Sequence, residues 1–334
     1  MGIKSAEEYH KVLKYFPPIP EPAFETPEMM KRVWDRQWGA NSEVGTLRVV
    51  LMHRPGDEMK VITADQWDDE VGAIVGENYS WYWRSTTTPD LCRMQRQHDN
   101  YAKLLRDEGV EVVYLEDVPL ENGTQYINTR DQGVAVPGGL IVSRFAPAMR
   151  RGEEKAVTKA AAGLGMPIIR TVNGTGTFEG GNFAFIDPKH AAVGCSQRTN
   201  REGIRQLREI LEPMGISLTV VPITGYSLHL DGAFTMVDVD KALVNVTKLP
   251  YEFIDMLKQD LKLKVIEVHP DDDWFAINCL QLKPGRVILC KGAERTADRL
   301  DKEGVEVLQI EYDEVMNGGG GLHCTTLPLM RDYL

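Results

Sequence analysis

The fold is decided by the stretch AAVGCSQRTNREGIRQLREILEPMGISLTVVPITGYSLHLDGAFTMVD, residues 191–238. An apolar run ends in the polar turn CSQRTN, and the following segment, REGIRQLREILEPMG (201–215), has the periodicity of a helix. A β-branched run, LTVVPI (218–223), comes next, and the polar motif LHLDG leads from it into another short apolar strand. The stretch therefore predicts a strand–helix–strand unit that ends in a polar loop.

The same order of elements recurs four more times along the chain. The other apolar runs are LRVVLMHRPG (47–56), GLIVSRFAP (139–147), ALVNVTKLP (242–250) and RVILCKGAERT (286–296). Each polar motif contributes one residue to a regular series, namely Asp131, Glu179, His229, Asn278 and Cys324. Successive members are 48, 50, 49 and 46 residues apart. A period near 50 that is sustained over most of a chain indicates a repeat architecture.

None of the five units can bury its apolar face alone. Packed around one axis they share a core and leave no free sheet edge, so the sequence predicts an α/β fold, a five-bladed pseudo-symmetric α/β propeller. The five polar loops then face a single cavity at one end of the axis. An open doubly wound sheet also gathers loops at its strand ends, although the even period favours the closed form.

Segments outside the repeat complete the predicted domain organisation. Residues 1–44 are predicted to form an N-terminal extension, and residues 45–334 a single catalytic propeller domain. The irregular segment 57–94 has a cluster of Trp and Tyr residues and no clear periodicity. Long connections of this kind are often lids or binding loops. We therefore predict a lid or insertion there, with its aromatic residues packed partly on the core.

Composition excludes several classes of protein. The chain of 334 residues has a net charge of −11 and no run rich in Lys and Arg, which argues against nucleic-acid and anionic-membrane partners. No stretch of about 18 apolar residues occurs, so no membrane-spanning helix is expected. The five cysteines are scattered without the spacing of a zinc framework, which is typical of a reducing compartment. We expect a cytoplasmic protein, and the sequence leaves a homo-oligomer open.

The motif NGGGGLHCTTLPL (317–329) holds the candidate nucleophile. Four glycines allow the backbone to approach a ligand closely, and the thiol of Cys324, displayed beside His323, is suited to nucleophilic attack. A phosphate-binding loop is a poor match because no Gly-Lys-Ser/Thr follows. The alternative is a glycine-rich loop that ends in a buried structural cysteine, and the glycine run favours the nucleophile.

Three acids and one histidine occupy the other polar motifs. His229 and Asp231 alternate along a predicted strand, so both side chains face the same way, and histidine can shuttle protons near neutral pH. Glu179 and Asp131 lie in turn-like motifs, where a lone acid is usually a cap or turn former. Three carboxylates in one cavity repel each other unless a cation sits between them. Guanidinium is the best geometrical match, and a metal site that includes Glu179 is the weaker alternative.

The motifs taken together resemble those of a known superfamily. In order along residues 45–330 they are LMHRPG, QHDNYAKLLRDEGVEVVYL, TRD, FEGGN, GCSQRTN, HLDGAF and GGGGLHC. This combination is similar to that of the guanidine-modifying enzymes, the penteins, which are five-bladed α/β propellers. It resembles most closely the arginine deiminases and dimethylargininases, with the amidinotransferases more distant.

The resemblance implies a role for each motif residue. Cys324 would be the nucleophile, His229 the general acid/base, and Glu179 the carboxylate beside His229 that also helps to hold the guanidine. Asp131 and Asp231 would bind the guanidinium nitrogens.

The resemblance also implies how the far end of the substrate is bound. Arg150 and Arg198 would bind the substrate α-carboxylate, although the position of Arg150 rests on its spacing from TRD, with Arg144 and Arg151 close by. The usual EGGD pattern reads EGGN here, so Asn182 would lie on the guanidine side of the substrate and lower the local negative charge.

The implied reaction is hydrolysis of a C–N bond in arginine, a substituted arginine or another guanidino acid. The Cys324 thiolate attacks the guanidinium carbon, His229 protonates the leaving amine, and water then hydrolyses the amidino-cysteine intermediate. Neither a metal nor an organic cofactor is expected. The alternative reaction is transfer of the amidino group to an acceptor amine. A third hypothesis, a binding protein without chemistry, is opposed by the intact Cys, His and Glu set.

Overall fold

The structure is a computed structural model that describes residues 26–77, 81–116, 118–121, 123–225 and 227–334. Within these residues, no helix is both long enough and apolar enough to cross a membrane. Most of the predicted extension 1–44 lies outside the described residues, but Met30 and Trp38 are buried in the core beside Leu329. The division at residues 44 and 45 stays a prediction, as do the cytoplasmic location and a homo-oligomer.

The described residues form seven α-helices and eighteen strands. The helices are α1 (Pro27–Val33), α2 (Leu91–Asp107), α3 (Glu153–Gly163), α4 (Arg201–Leu211), α5 (Tyr251–Asp255), α6 (Glu294–Lys302) and α7 (Asp313–Met316). The strands are β1 (Leu47–Met52), β2 (Trp67–Asp68), β3 (Ala73–Val75), β4 (Tyr82–Trp83), β5 (Glu111–Tyr114), β6 (Gly133–Val136), β7 (Gly139–Val142), β8 (Ile168–Thr171), β9 (Phe183–Asp187), β10 (His190–Cys195), β11 (Ser217–Pro222), β12 (Phe234–Asp238), β13 (Lys241–Val244), β14 (Lys264–Glu267), β15 (Leu280–Lys283), β16 (Arg286–Cys290), β17 (Glu306–Ile310) and β18 (Leu327–Arg331).

The five predicted strand–helix–strand units are confirmed. Each central strand (β1, β7, β10, β13 or β16) pairs in parallel with the strand that follows its helix. On its other side each central strand pairs antiparallel with the strand that follows a polar motif. The motif strand thus joins the sheet of the next unit along the chain. The last strand, β18, pairs with β1, so the end of the chain completes the first sheet.

Alternation along the strands makes neighbouring units share their cores. On β9, Phe183 and Phe185 pack in a cluster with β6, β7 and β10, whereas Ala184 and Ile186 on the opposite face pack with β12 and β13. Each of the five apolar clusters joins two neighbouring units in this way, and one of them joins β1 and α2 to β15 and β16. Successive side chains of a strand point to opposite faces of its sheet, and both faces are covered. Each sheet therefore contributes side chains to two apolar clusters.

The segment 57–94 is more regular than predicted. It contains a small antiparallel sheet of β2, β3 and β4, and its end lies within α2. Strands of two or three residues are too short to give a periodic signal. Of its aromatic cluster, Trp81 and Trp83 are buried in the core and Trp67 is exposed, while Tyr82 and Arg84 line a cavity. Tyr79 lies outside the described residues, and a lid or insertion at 57–94 stays a prediction.

Four of the five polar motifs lie at short 3-10 turns that contact one another in sequence order. These turns are Thr129–Gln132, Gly180–Asn182, Leu230–Gly232 and Trp274–Ile277, and each precedes the motif strand of its sheet. The fold therefore brings motifs that are about 50 residues apart to one place, as the repeat predicted.

Candidate active site

Glycines are required in the loop that carries Cys324. Gly319 has a φ of +91°, a left-handed conformation that favours glycine, and the Tyr82 hydroxyl lies against the position that its Cβ would take. At Gly321, Oδ1 of Asn278 lies 2.6 Å from the position that a Cβ atom would take. The loop is thus pressed between side chains from other parts of the chain, which fixes the thiol.

The Cys324 thiol is held by two side chains from other units. Asn278 donates from Nδ2 to Sγ at 3.1 Å, and its Oδ1 accepts the backbone N–H groups of Cys324 at 3.1 Å and His323 at 3.0 Å. Sγ lies 3.5 Å from Oδ2 of Asp231, which also bonds Nδ1 of His323 at 2.9 Å. Cys324 is only 8% exposed, so the thiol meets solvent through the cavity alone.

Burial and negative charge favour the protonated thiol. Burial, Asp231 and Asp131 together raise the pKa of Cys324 well above its usual value. Burial would also raise the pKa of Asp231, but the hydrogen bond from His323 and the nearby His229 and Arg130 together outweigh burial and lower that pKa. Burial and the nearby Arg130 lower the pKa of His323, so we assign a neutral ring that donates from Nδ1. A neutral thiol therefore lies beside an ionised carboxylate.

His229 is paired with two buried carboxylates. Its Nε2 lies 2.8 Å from Oε2 of Glu179, and its Nδ1 lies 3.5 Å from Oδ1 of Asp131. Burial alone would lower the pKa of His229, but Asp131, Glu179 and Asp231 outweigh burial and raise it. Glu179 is fully buried, yet the hydrogen bond from His229 and the charges around it lower its pKa to about 2. The pair is thus an imidazolium beside a carboxylate.

Arg150 and Arg198 pair with buried acids in this structure, and their role as a carboxylate clamp stays a prediction. Arg150 is buried and donates to Asp131 at 2.7 Å and to both carboxylate oxygens of Glu153 at 2.7 and 2.9 Å. Arg198 donates to Glu179 at 3.2 and 3.3 Å, and Nη1 of Arg150 lies 3.6 Å from the same carboxylate. Both guanidinium groups therefore face the buried acids, because unpaired carboxylates in the interior are costly.

Glu153 was not predicted from the sequence. Burial raises its pKa to about 7, and the neighbouring Asp131 and Glu179 add to that effect, although Arg150 opposes it. Glu153 lies three residues after Arg150, on the first turn of α3, and this spacing could have indicated that the two side chains form an ion pair.

Asn182 is also placed differently from the prediction, which put it at the substrate. It is fully buried, and Nδ2 donates to the hydroxyls of Ser196 and Thr199 and to the carbonyl of Leu228. Its Oδ1 accepts the N–H of Leu230 at 3.1 Å. The amide therefore holds the backbone on both sides of His229, as a donor to residue 228 and an acceptor from residue 230. An ionised Asp could not do both, because it has no hydrogen to donate.

A cavity of about 110 Å³ opens onto the thiol. Of the predicted residues, Cys324, His229 and Asp231 line it, whereas Asp131, Glu179, Asn182, Arg150 and Arg198 lie behind its wall. The other lining residues were not predicted as site residues, and they include Asn278, Arg84, Lys248 and Trp274. Asn278 occupies the same repeat position as the other motif residues, and this spacing could have identified it.

The carboxylates behind the wall also form a candidate metal site. Asp131, Glu179 and His229 place ligand atoms within 4.8 Å of one another. However, Arg150 and Arg198 already neutralise these acids, and their charges oppose the entry of a divalent cation. The geometry favours an imidazolium over a metal ion, and the expected absence of a metal stays a prediction.

Comparisons with known proteins give a consistent set of similarities. A family model described as "N,N dimethylarginine dimethylhydrolase, eukaryotic" matches residues 84–331. The chain is 30% identical over 240 residues to the uncharacterized protein YkgA of Bacillus subtilis (strain 168), covering 70% of this chain and 79% of YkgA. It is 26% identical over 409 residues to arginine deiminase of Mycobacterium avium (strain 104), covering 89% and 98%.

One solved structure supports the fold. DDAH from Pseudomonas aeruginosa, solved as a mutant complexed with citrulline, superposes with a TM-score of 0.66 at 22% identity, covering 84% of this chain and 99% of that one. At this identity the likeness shows a shared mixed α/β fold.

Proposed function

Since the chain belongs to the N,N-dimethylarginine dimethylhydrolase family, we propose that it hydrolyses a C–N bond of a guanidine through an amidino-cysteine intermediate on Cys324. Membership makes it a hydrolase that acts on amidines. The substrate class is arginine, a substituted arginine or another guanidino acid. The observation that carries the proposal is a cavity in which a thiol lies 3.5 Å from an ionised carboxylate, with His229 on the same wall.

The guanidinium itself activates the nucleophile in this proposal. Because Asp231 and Asp131 raise the pKa of the Cys324 thiol, a bound cation beside Asp231 offsets their charge and lowers that pKa. Asn278 then stabilises the thiolate through its Nδ2–H. The Sγ proton passes to solvent through the cavity and is taken up again when the free enzyme is restored. The thiolate is thus formed where the guanidinium carbon is held, and proximity supplies much of the acceleration.

His229 moves the protons in both halves of the reaction. Its raised pKa keeps it protonated, so it donates a proton to the leaving amine while the Sγ–C bond forms and the C–N bond breaks. The neutral imidazole then accepts a proton from water as the C–O bond forms and the Sγ–C bond breaks. The products are the free amine, a ureido compound and the thiol. Glu179 orients His229 and stabilises its charged form, and Arg150 and Arg198 hold Glu179 and Asp131 in place.

We also propose that the five units close into a five-bladed propeller. Contacts run from β6 to β18, from β1 to β15, from β15 to β12 and from β12 to β9, while the turns before β6 and β9 touch. The five apolar clusters follow the same circuit. Closure gives the axis at which the polar motifs meet.

A panel of guanidines, supplied without an acceptor amine, tests the function. We expect release of ammonia or an alkylamine together with a ureido product, and no turnover by Cys324→Ala. An adduct of one amidino group on the Cys324 peptide should be trapped by acid quench. Product that forms only after an acceptor amine is added would instead establish amidino transfer.

A further inference from the structure

Two motifs that contribute to the family resemblance take no part in the proposed mechanism, and they pack against each other. The motif LMHRPG (51–56) includes the end of β1, and QHDNYAKLL (97–105) lies within α2. The Arg54 guanidinium donates to both carboxylate oxygens of Asp99, at 2.7 and 2.8 Å. One side of α2 is therefore held at the end of β1.

The opposite side of α2 contacts the segment that leads to the nucleophile. Successive helical residues are turned by about 100°, so Gln97 faces away from Asp99, which lies two residues further on. The Gln97 side chain is buried, and its Nε2 donates to Oδ1 of Asp313 at 2.7 Å. Its Oε1 accepts the backbone N–H groups of Glu314 at 3.0 Å and Val315 at 3.4 Å. One amide thus holds the start of α7, the short helix that directly precedes the glycine loop.

Tyr101 holds the other end of the same loop. It is fully buried, one helical turn after Gln97, and its hydroxyl donates to the carbonyl of Leu322 at 3.1 Å. Its ring packs edge to face against Tyr312, whose hydroxyl lies 3.0 Å from that of Thr325. Helix α2 therefore contacts the chain on both sides of the four glycines.

A run of four glycines does not fix its own path. Glycine has access to more backbone conformations than any other residue, so ordering it costs the most conformational entropy. The acidity of the nucleophile depends on that path. Burial and the nearby acids raise the pKa of Cys324, whereas the backbone N–H of Gly321 and the amide of Asn278 lower it. Contacts that hold both ends of the loop therefore act on the thiol.

We propose that Gln97 and Tyr101 are positioning residues, which hold the glycine loop from α2 and so place the Cys324 sulfur for attack on the guanidinium carbon. This role rests on the proposed function. Neither side chain lines the cavity, so both act through the loop and not on the substrate. Their loss should therefore lower kcat and leave KM almost unchanged.

The first test is Gln97→Leu, which removes all three bonds of the amide and fills the buried position. Since misplacement of a reacting atom by about 1 Å can slow a reaction a hundredfold, we expect kcat to fall about ten- to a hundredfold and KM to change less than about twofold. The midpoint of the pH dependence of Cys324 alkylation by iodoacetamide should rise by about one unit, because the bonds that lower the thiol pKa are weakened.

The second test is Tyr101→Phe, which removes a single hydroxyl and decides the proposal if Gln97→Leu does not fold. The Leu322 carbonyl keeps its bond from Oγ1 of Thr326 at 3.0 Å, so kcat should fall by about three- to tenfold, and the alkylation midpoint should rise.

Arg93→Gln is the matched control. Arg93 lies one turn before Gln97 and donates to the same Asp313, but its side chain is 41% exposed. Because an exposed ion pair contributes little, kcat should stay within about twofold of wild type and the midpoint should not move.

Alkylation separates failure of this proposal from failure of the proposed function, because iodoacetamide reacts without any guanidine. If wild type turns over no guanidine, the proposed function fails, and a raised midpoint in Gln97→Leu or Tyr101→Phe still supports the positioning role. Wild-type kcat and an unchanged midpoint in the folded variants would overturn the proposal.

Discussion

Replacement of Asn278 by Ala should slow the chemistry by changing the acidity of the nucleophile. Asn278 donates to Cys324 Sγ at 3.1 Å, and this bond lowers the pKa of the thiol. A hydrogen bond to a charged group contributes about 1.5–3 kcal/mol. Because 1.36 kcal/mol corresponds to one pKa unit, the thiol pKa should rise by roughly one to two units. We expect kcat/KM to fall by about ten- to a hundredfold.

The assay is the pH dependence of alkylation of Cys324 by iodoacetamide, followed peptide by peptide with mass spectrometry. The midpoint should move to higher pH in Asn278→Ala. The variant also leaves the backbone N–H of Cys324 unpaired, whereas that of His323 keeps its bond to the carbonyl of residue 278 at 3.3 Å, so the free energy of unfolding should fall by about 1–3 kcal/mol. Loss of stability alone would therefore say nothing about the thiol.

Asn128→Ala is the matched control. Asn128 presses on the same loop at Gly320, but its Nδ2 bonds Gln125 at 3.2 Å instead of the sulfur. Its removal should leave the alkylation midpoint in place. If the alkylation midpoint of Cys324 is also unchanged in Asn278→Ala, although the protein is less stable, Asn278 stabilises the loop without affecting the acidity of the thiol. That result would refute the prediction.

Four further predictions follow from the site. Cys324→Ala should abolish turnover and keep the fold, and a haloacetamidine should label Cys324 fastest, with Cys92, which is exposed, as the internal reference for peptide mass spectrometry. Asp231→Asn should lower kcat/KM by about ten- to a hundredfold, since it removes a charge-assisted bond to the guanidinium, whereas Asp131→Asn should change KM less because Asp131 does not line the cavity. The pKa of Glu153 is raised from 4.5 to about 7 in the folded protein, so its contribution to stability is complete below pH 4.5 and is lost as the pH rises through 7. In Glu153→Gln, the free energy of unfolding measured by chemical denaturation should therefore depend less on pH in this range. Treatment with EDTA should leave steady-state turnover unchanged, and activity that is lost and restored by a divalent metal would contradict the proposed mechanism.

The sequence by itself determined the repeat and the order of the motifs. Period-two and helical patterns are local, so apolar runs such as 191–200 identified the central strands, and a spacing near 50 predicted that the polar loops meet. The glycine run likewise identified the loop of Cys324. A backbone that approaches other groups closely needs glycine in any fold, so this signal is visible in the sequence alone.

Only the tertiary structure decided which charges are paired and which face the cavity. Arg150 and Arg198 contact the buried Glu179, so their role at the substrate stays a prediction, whereas Arg84, in an irregular segment, lines the cavity. Sequence lists charged residues without their surroundings, but the cost of burying a charge depends on the groups that share its dry volume. Buried acids therefore take nearby guanidinium groups as partners, and only the folded chain shows which guanidinium groups these are.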